Sequence, residues 1–147
     1  GGTITQFSQT IKRFGWSCKF VDLDDPQAVR AAIDDDTRAI FCESISNPGG
    51  YPTDIPAIAA IADAAGVPLI VDNTLATPYL CKPIEMGATL VVHSLTKYMT
   101  GNGTVTGGVV VDSVDVDTDV AASEFQSGNS RRRSPGERIE HDVARPC

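Results

Sequence analysis

Residues 91–104 read VVHSLTKYMTGNGT, and they place Lys97 beyond an apolar run, with Ser94 and Thr96 just before it. A surface lysine is ordinarily a solvated ammonium. Here the chain arrives from a strand-like stretch, and partial desolvation at a strand end would favour the neutral, nucleophilic amine that condenses with aldehydes. Ser94 and Thr96 carry hydroxyls that suit a phosphate group, although capping or turn chemistry explains them equally well on spacing alone. Asp72 closes another apolar stretch, LIVD. A carboxylate there needs a partner. A cap, a loop amide or a protonated ring nitrogen would each serve.

Amine, carboxylate and hydroxyls together are what pyridoxal 5'-phosphate (PLP) requires. Lysine holds the aldehyde, a carboxylate keeps the pyridine nitrogen protonated, and hydroxyls hold the phosphate. Two other readings of the same residues are weaker. Ser94-Leu95-Thr96-Lys97 is formally S-x-x-K, with Ser127-Gly128-Asn129 as a second S-x-N element, but no K-T-G follows. The serine of that pattern also opens a helix rather than closing a strand. The glycines at 101, 103, 107 and 108 do not form a nucleotide-hydrolase phosphate loop, where Gly-Lys ends the motif.

The elements that must position these residues alternate. TQFSQTIKRFG spaces Phe7, Ile11 and Phe14 as a helix stopping at Gly15, and SCKFVDL reads as a strand. Asp25-Pro26 supplies an N-cap and an initial proline for a helix over PQAVRAAI. TRAIFCE reads as a strand, and SNPGGYPTD as a turn region ending in Asp54 as an N-cap. DIPAIAAIADAAG is a helix with Ile55, Ile58, Ala59 and Ala62 on one face and Gly66 at its end. PLIVD, TLVVH and GGVVVD are strands, with NTLATPYLCKPIEMGA between the first two as a loop. Alternation of this kind predicts an α/β layered fold with a mostly parallel sheet, whose ligands gather where strands end.

Composition narrows the function classes. The 147 residues are 41% hydrophobic and 21% charged, ordinary for a globular domain with a real core. A formal net charge of −7 argues against nucleic acid or an anionic membrane surface as partner. Arg131-Arg132-Arg133 stands in a polar stretch without aromatic interleaving and reads as solvated charge. No apolar run reaches the ~20 residues of a membrane span, and the opening has no signal-peptide pattern. Cys18, Cys42, Cys81 and Cys147 include no C-x-x-C pair, which fits reduced thiols in a cytoplasmic setting better than zinc or disulfides. Residues 113–147 are poor in apolar positions and read as a disordered tail, leaving 1–112 as the domain.

The motifs ESISNP (43–48), VDNTLATPYL (71–80), PIEMGA (83–88) and VVHSLTKYMTGNG (91–103) resemble the Cys/Met metabolism family of PLP enzymes. The resemblance runs over residues 1–112 and implies the central part of a fold-type I, aspartate aminotransferase-like large domain. It implies Lys97 as cofactor anchor and base, Asp72 as partner of the pyridine nitrogen, Ser94 and Thr96 as phosphate contacts, and Asn47 beside the ring oxygen. TGNGTVTGG and GGTITQFSQTIKRFG look most like O-acetylhomoserine sulfhydrylases. That subgroup implies γ-replacement on O-acetyl-L-homoserine by sulfide or a thiol, with a homotetramer as the full-length assembly. Cystathionine γ-synthase, cystathionine γ-lyase and methionine γ-lyase belong to the same family and stand as alternatives. Family members are considerably longer, with an N-terminal phosphate loop, a ring-stacking aromatic and a C-terminal arginine for the substrate carboxylate. None of these falls within the sequence, so a catalytically inactive fragment is also an expectation.

Overall fold

A computed structural model describes residues 1–113, and the region read as a tail lies outside the described residues from position 114 onward. Four strands form one sheet in the order β1-β2-β3-β4: Ile40–Glu43, Leu69–Asp72, Leu90–Ser94 and Gly108–Asp112. The first three run parallel, and β4 returns antiparallel to β3. The mostly parallel α/β arrangement is the one the alternation predicts.

The helices begin and end where the sequence says. Asp25 accepts a hydrogen bond from the Gln27 amide and opens helix α2, Pro26–Ala32; α1 is the short turn Gly2–Thr5 near the N-terminus. Asp54 accepts from the Ala57 amide and opens α3, Ile55–Ala65; Gly66 closes it at φ 67°, a left-handed conformation that costs glycine nothing. Alanine and isoleucine make α3 both helix-prone and apolar on its sheet side. Ile55, Ile58, Ala59, Ile61 and Ala62 are buried there against Cys42, Leu69, Val71 and Val91 of the sheet.

Burial also raises the Cys42 thiol to about 12, with the neighbouring Glu43 charge adding to the effect. A folded-state value above the unfolded one means that the contribution is intact below pH 9 and is lost as pH climbs toward 12. The loss reaches roughly 4 kcal/mol at the top of that window. Urea midpoints measured from pH 8 upward are expected to fall more steeply for the native chain than for Cys42→Val. Parallel curves would show that the thiol does not titrate this way.

The opposite face is covered differently. The N-terminal stretch is helical to Phe14, but its winding changes from α through a π turn, Gln6–Thr10, to a 3-10 turn, Ile11–Phe14, before Gly15 ends it at φ 79°. Phe7 lays its ring 4.8 Å from that of Phe41 on β1. This tilted pair fixes the segment to the sheet.

Two expectations need correction. SCKFVDL is not a strand: it pairs with no strand among the described residues, and a segment without a ladder partner does not make one. Phe20 is 61% exposed, and the segment is tied down by Lys19, which donates to the Ala32 carbonyl and pairs with Asp34. The Lys19 hydrogen bond is the main cause that holds the Asp34 carboxyl below the usual range. The second correction concerns the loop after β2. It contains a helical turn, α4, Thr77–Leu80, and a 3-10 turn, Pro83–Met86, each with a proline among its first two residues. Gly87 closes the latter at φ 97°, where an added Cβ would come within 2.9 Å of the Ala59 methyl on α3.

Candidate functional site

Parallel register puts the carboxyl ends of β1, β2 and β3 side by side. Glu43 is level with Asp72, and Asp72 with Val92. Because side chains alternate along a strand, Glu43, Asp72 and, two residues beyond Val92, Ser94 share one face. All three are half-buried. A sheet of this type presents its ligand-binding crevice at these ends.

The Asp72 carboxylate is held rather than free to swing. Its Oδ1 accepts from the Thr74 amide at 2.9 Å, closing a turn of the kind that Asp forms with the residue two positions on. Thr74 Oγ1 in turn accepts from the Ser94 amide at 2.8 Å. One short path therefore links the end of β2 to the end of β3. Asp72 Oδ2 has no donor among the described residues, so the locked carboxylate keeps one oxygen available.

Lys97 lies three residues past Ser94, in the single turn Leu95–Met99, where its backbone leaves helical geometry at φ −86°, ψ −115°. The side chain is exposed. Partial desolvation of Lys97 is thus not met within the described residues, because the turn has already carried the chain past the sheet that would cover it. Thr96 is engaged with its neighbour across the loop: its hydroxyl accepts from the Gly107 amide at 3.0 Å and donates to the Gly107 carbonyl at 3.3 Å. That clasp closes the loop 95–107 and fixes where Lys97 emerges. Asn47 is exposed, in the turn after β1, and its backbone N–H donates to Glu43 Oε2 at 3.1 Å.

The structure thus brings Asp72 and Ser94 together by hydrogen bonds, sets Thr96 and Lys97 immediately beyond them, and ties Asn47 to Glu43 on the same sheet end. Thr74 is the residue that the sequence reading missed. Its signal was present in Asp72-Asn73-Thr74, an aspartate followed at two positions by a residue with a free amide. Cys42 is buried and protonated at neutral pH, which removes it as a nucleophile. His93 is buried. An open groove of about 420 Å³ lined by Tyr79, Leu80, Cys81, Lys82, Glu85 and Met86 contains none of the candidate residues. Among the described residues there is no cluster of metal-ligating side chains and no helix long and apolar enough to cross a membrane.

A sequence model described as "Cys/Met metabolism PLP-dependent enzyme" matches residues 1–135. The chain belongs to this family. Homocysteine synthase of Schizosaccharomyces pombe is 46% identical over 130 residues, covering 88% of this chain and 30% of that protein. O-acetyl-L-homoserine sulfhydrylase of Corynebacterium glutamicum is 49% identical over 113 residues, covering 76% of this chain and 26% of that protein. Among solved structures, a putative O-acetylhomoserine (thiol)-lyase from Campylobacter jejuni superimposes with a TM-score of 0.77 at 43% identity, over 78% of this chain and 28% of that one. That structure carries an N'-pyridoxyl-lysine-5'-monophosphate. Cystathionine γ-lyase from Lactobacillus plantarum, complexed with L-serine, superimposes with a TM-score of 0.75 at 40% identity, over 84% of this chain and 31% of that one. The chain therefore spans about a quarter to a third of the length of these relatives.

The residues present fit the cofactor that the family uses. An amine, a fixed carboxylate with an open oxygen and a strand-end hydroxyl are the donor and acceptor types that an aldehyde, a ring N–H and a phosphate need.

Proposed function

We propose that this segment carries the PLP anchor and the proton-transfer lysine of an enzyme that replaces the γ-substituent of O-acetyl-L-homoserine with sulfide or a thiol. The observation that supports it most directly is the Asp72–Thr74–Ser94 path, which ties a carboxylate with one open oxygen to the strand end that lies three residues before Lys97. Lys97 would hold the cofactor, Asp72 would keep the proton on its ring nitrogen, and Ser94, Thr96 and Asn47 would line its phosphate and ring oxygen. The cofactor supplies an electron sink for charge developing at the substrate α carbon.

The protein's own part is proton management. Lys97 Nζ would be the base that takes the α proton of the bound amino acid and returns protons at the α and β carbons, the carbon skeleton staying intact. Acetate leaves from the γ carbon and the sulfur nucleophile adds there, so acetylhomoserine and sulfide give homocysteine and acetate. The similarity to cystathionine γ-lyase supports a second reading in which no sulfur adds and the same site ends in elimination. A small-molecule amino-acid substrate, a cytoplasmic setting and, for the full-length enzyme, a homotetramer complete the proposal.

The test is a PLP titration of the purified chain followed by visible absorbance, then addition of O-acetyl-L-homoserine with and without sulfide. A saturable band and sulfide-dependent homocysteine support γ-replacement. 2-Oxobutyrate and ammonia, whether or not sulfide is present, favour elimination. If no band forms, the chain does not hold the cofactor and the proposal fails for it.

A further inference from the structure

The sheet face turned away from Asp72 carries a second set of polar residues. Ser44 and Asn73 continue the parallel ladder by one step, through Ser44 N–H to the Asp72 carbonyl and Asn73 N–H to the Val92 carbonyl, both at 2.9 Å. The continued register sets Ser44 beside Asn73 and Asn73 beside His93. All three are buried, at 3%, 0% and 6% exposure, in line with Cys42, Val71 and Val91 of the apolar core. Each has a buried polar atom with no protein partner among the described residues: Ser44 Oγ, Asn73 Oδ1 and His93 Nδ1. The other end of the Asn73 amide is fixed, because Nδ2 donates to the Cys81 carbonyl at 2.8 Å, so Oδ1 is held at its place in the row.

Leaving one such group dry costs on the order of 1–3 kcal/mol, and three on adjacent strands would be exceptional in a folded chain. Their chemistry is complementary to water. Ser44 Oγ–H can donate, whereas Asn73 Oδ1 and His93 Nδ1 can accept. Adjacent strands lie about 4.8 Å apart, a gap that one water molecule bridges between short side chains. An amide oxygen has two lone pairs, so Asn73 can serve both gaps.

We propose that Ser44, Asn73 and His93 form a buried water-binding row that crosses the ends of the three parallel strands and pins them in register. Asp72 precedes Asn73 and Ser94 follows His93, so the row lies directly behind the residues of the candidate site. The inference stands on the sheet alone and is independent of the proposed function.

Oxygen-17 and deuterium magnetic relaxation dispersion on the full chain tests it, together with amide hydrogen exchange. The native chain is expected to show a long-residence water component that shrinks in Ser44→Ala and in His93→Phe. Exchange at the Asn73 and Ser94 amides is expected to quicken about tenfold in Ser44→Ala, the fold-change for one lost buried hydrogen bond of average strength. Ser44→Ala is the mild variant and keeps the test decisive should His93→Phe not fold. The proposal is overturned if the dispersion and exchange of Ser44→Ala match the native chain. A crystal structure placing a protein group, rather than water, within hydrogen-bond distance of Oδ1 and Nδ1 overturns it equally.

Discussion

Lys97→Ala is expected to abolish covalent retention of PLP after borohydride treatment while leaving the fold intact. The two halves of that expectation rest on the same geometry. Lys97 is exposed, sits beyond the sheet, and has no hydrogen bond or ion pair among the described residues, so its removal costs no packing. Surface substitutions of this type shift stability by about 0.5 kcal/mol or less. In any longer form of the chain that turns over substrate, losing the base is expected to lower kcat about 10²–10⁴-fold, with loss of cofactor anchoring added to that. Lys97→Arg keeps the charge and is expected to be equally inactive, because guanidinium does not condense with an aldehyde at neutral pH. Mass spectrometry of the reduced, digested protein gives the answer. A cofactor-bearing peptide containing Lys12, Lys19 or Lys82 in place of Lys97 would defeat the assignment.

The second large effect belongs to Asp72, and here two substitutions separate two roles. Asp72→Asn keeps an oxygen to accept from the Thr74 amide and so preserves the link through Thr74 Oγ1 to Ser94. What it removes is the negative charge that would hold the ring proton. It is expected to fold normally and to lose about 10²–10³-fold in turnover, the range for a single preorganised electrostatic group. Asp72→Ala removes the acceptor as well. It should add a stability loss of about 1–2 kcal/mol, because the Thr74 amide, the turn and the Ser94 anchor lose their common support. Thermal unfolding alongside cofactor titration distinguishes these. If Asn and Ala variants bind cofactor as tightly as the native chain, Asp72 serves the turn alone.

Much of this was legible in the residues because it is local. Asp25, Asp54 and Gly66 act within one helical turn of themselves, and the structure finds each where capping chemistry places it. The apolar runs ending at Asp72 and Ser94 announced the strand ends. Pairing is not local, and that is where reading failed. SCKFVDL has the composition of a strand, but composition cannot supply a neighbour. TRAIFCE begins pairing only at Ile40, because Thr37 is taken up by a turn with Asp34. The exposure of Lys97 was equally hidden: the preceding residues tell that the chain leaves the interior, not what covers it afterwards. Thr74 could have been found from its spacing to Asp72. The row of Ser44, Asn73 and His93 could not, since it exists only once three strands are set in register.

The strand order has a consequence for how the sheet is assembled. Every strand after the first pairs with the one immediately before it in the chain. Among the described residues, spatial neighbours in the sheet are therefore also successive strands of the chain. Such a topology keeps the loop-closure cost of each step below that of pairing strands from opposite ends of the sequence. As the chain grows from its amino end, β1 is in place as a template for β2, β2 for β3, and β3 for β4. The residues of the candidate site come together in that same order, Asp72 upon the first pairing and Ser94 upon the second, so the site is built as a by-product of zipping the sheet.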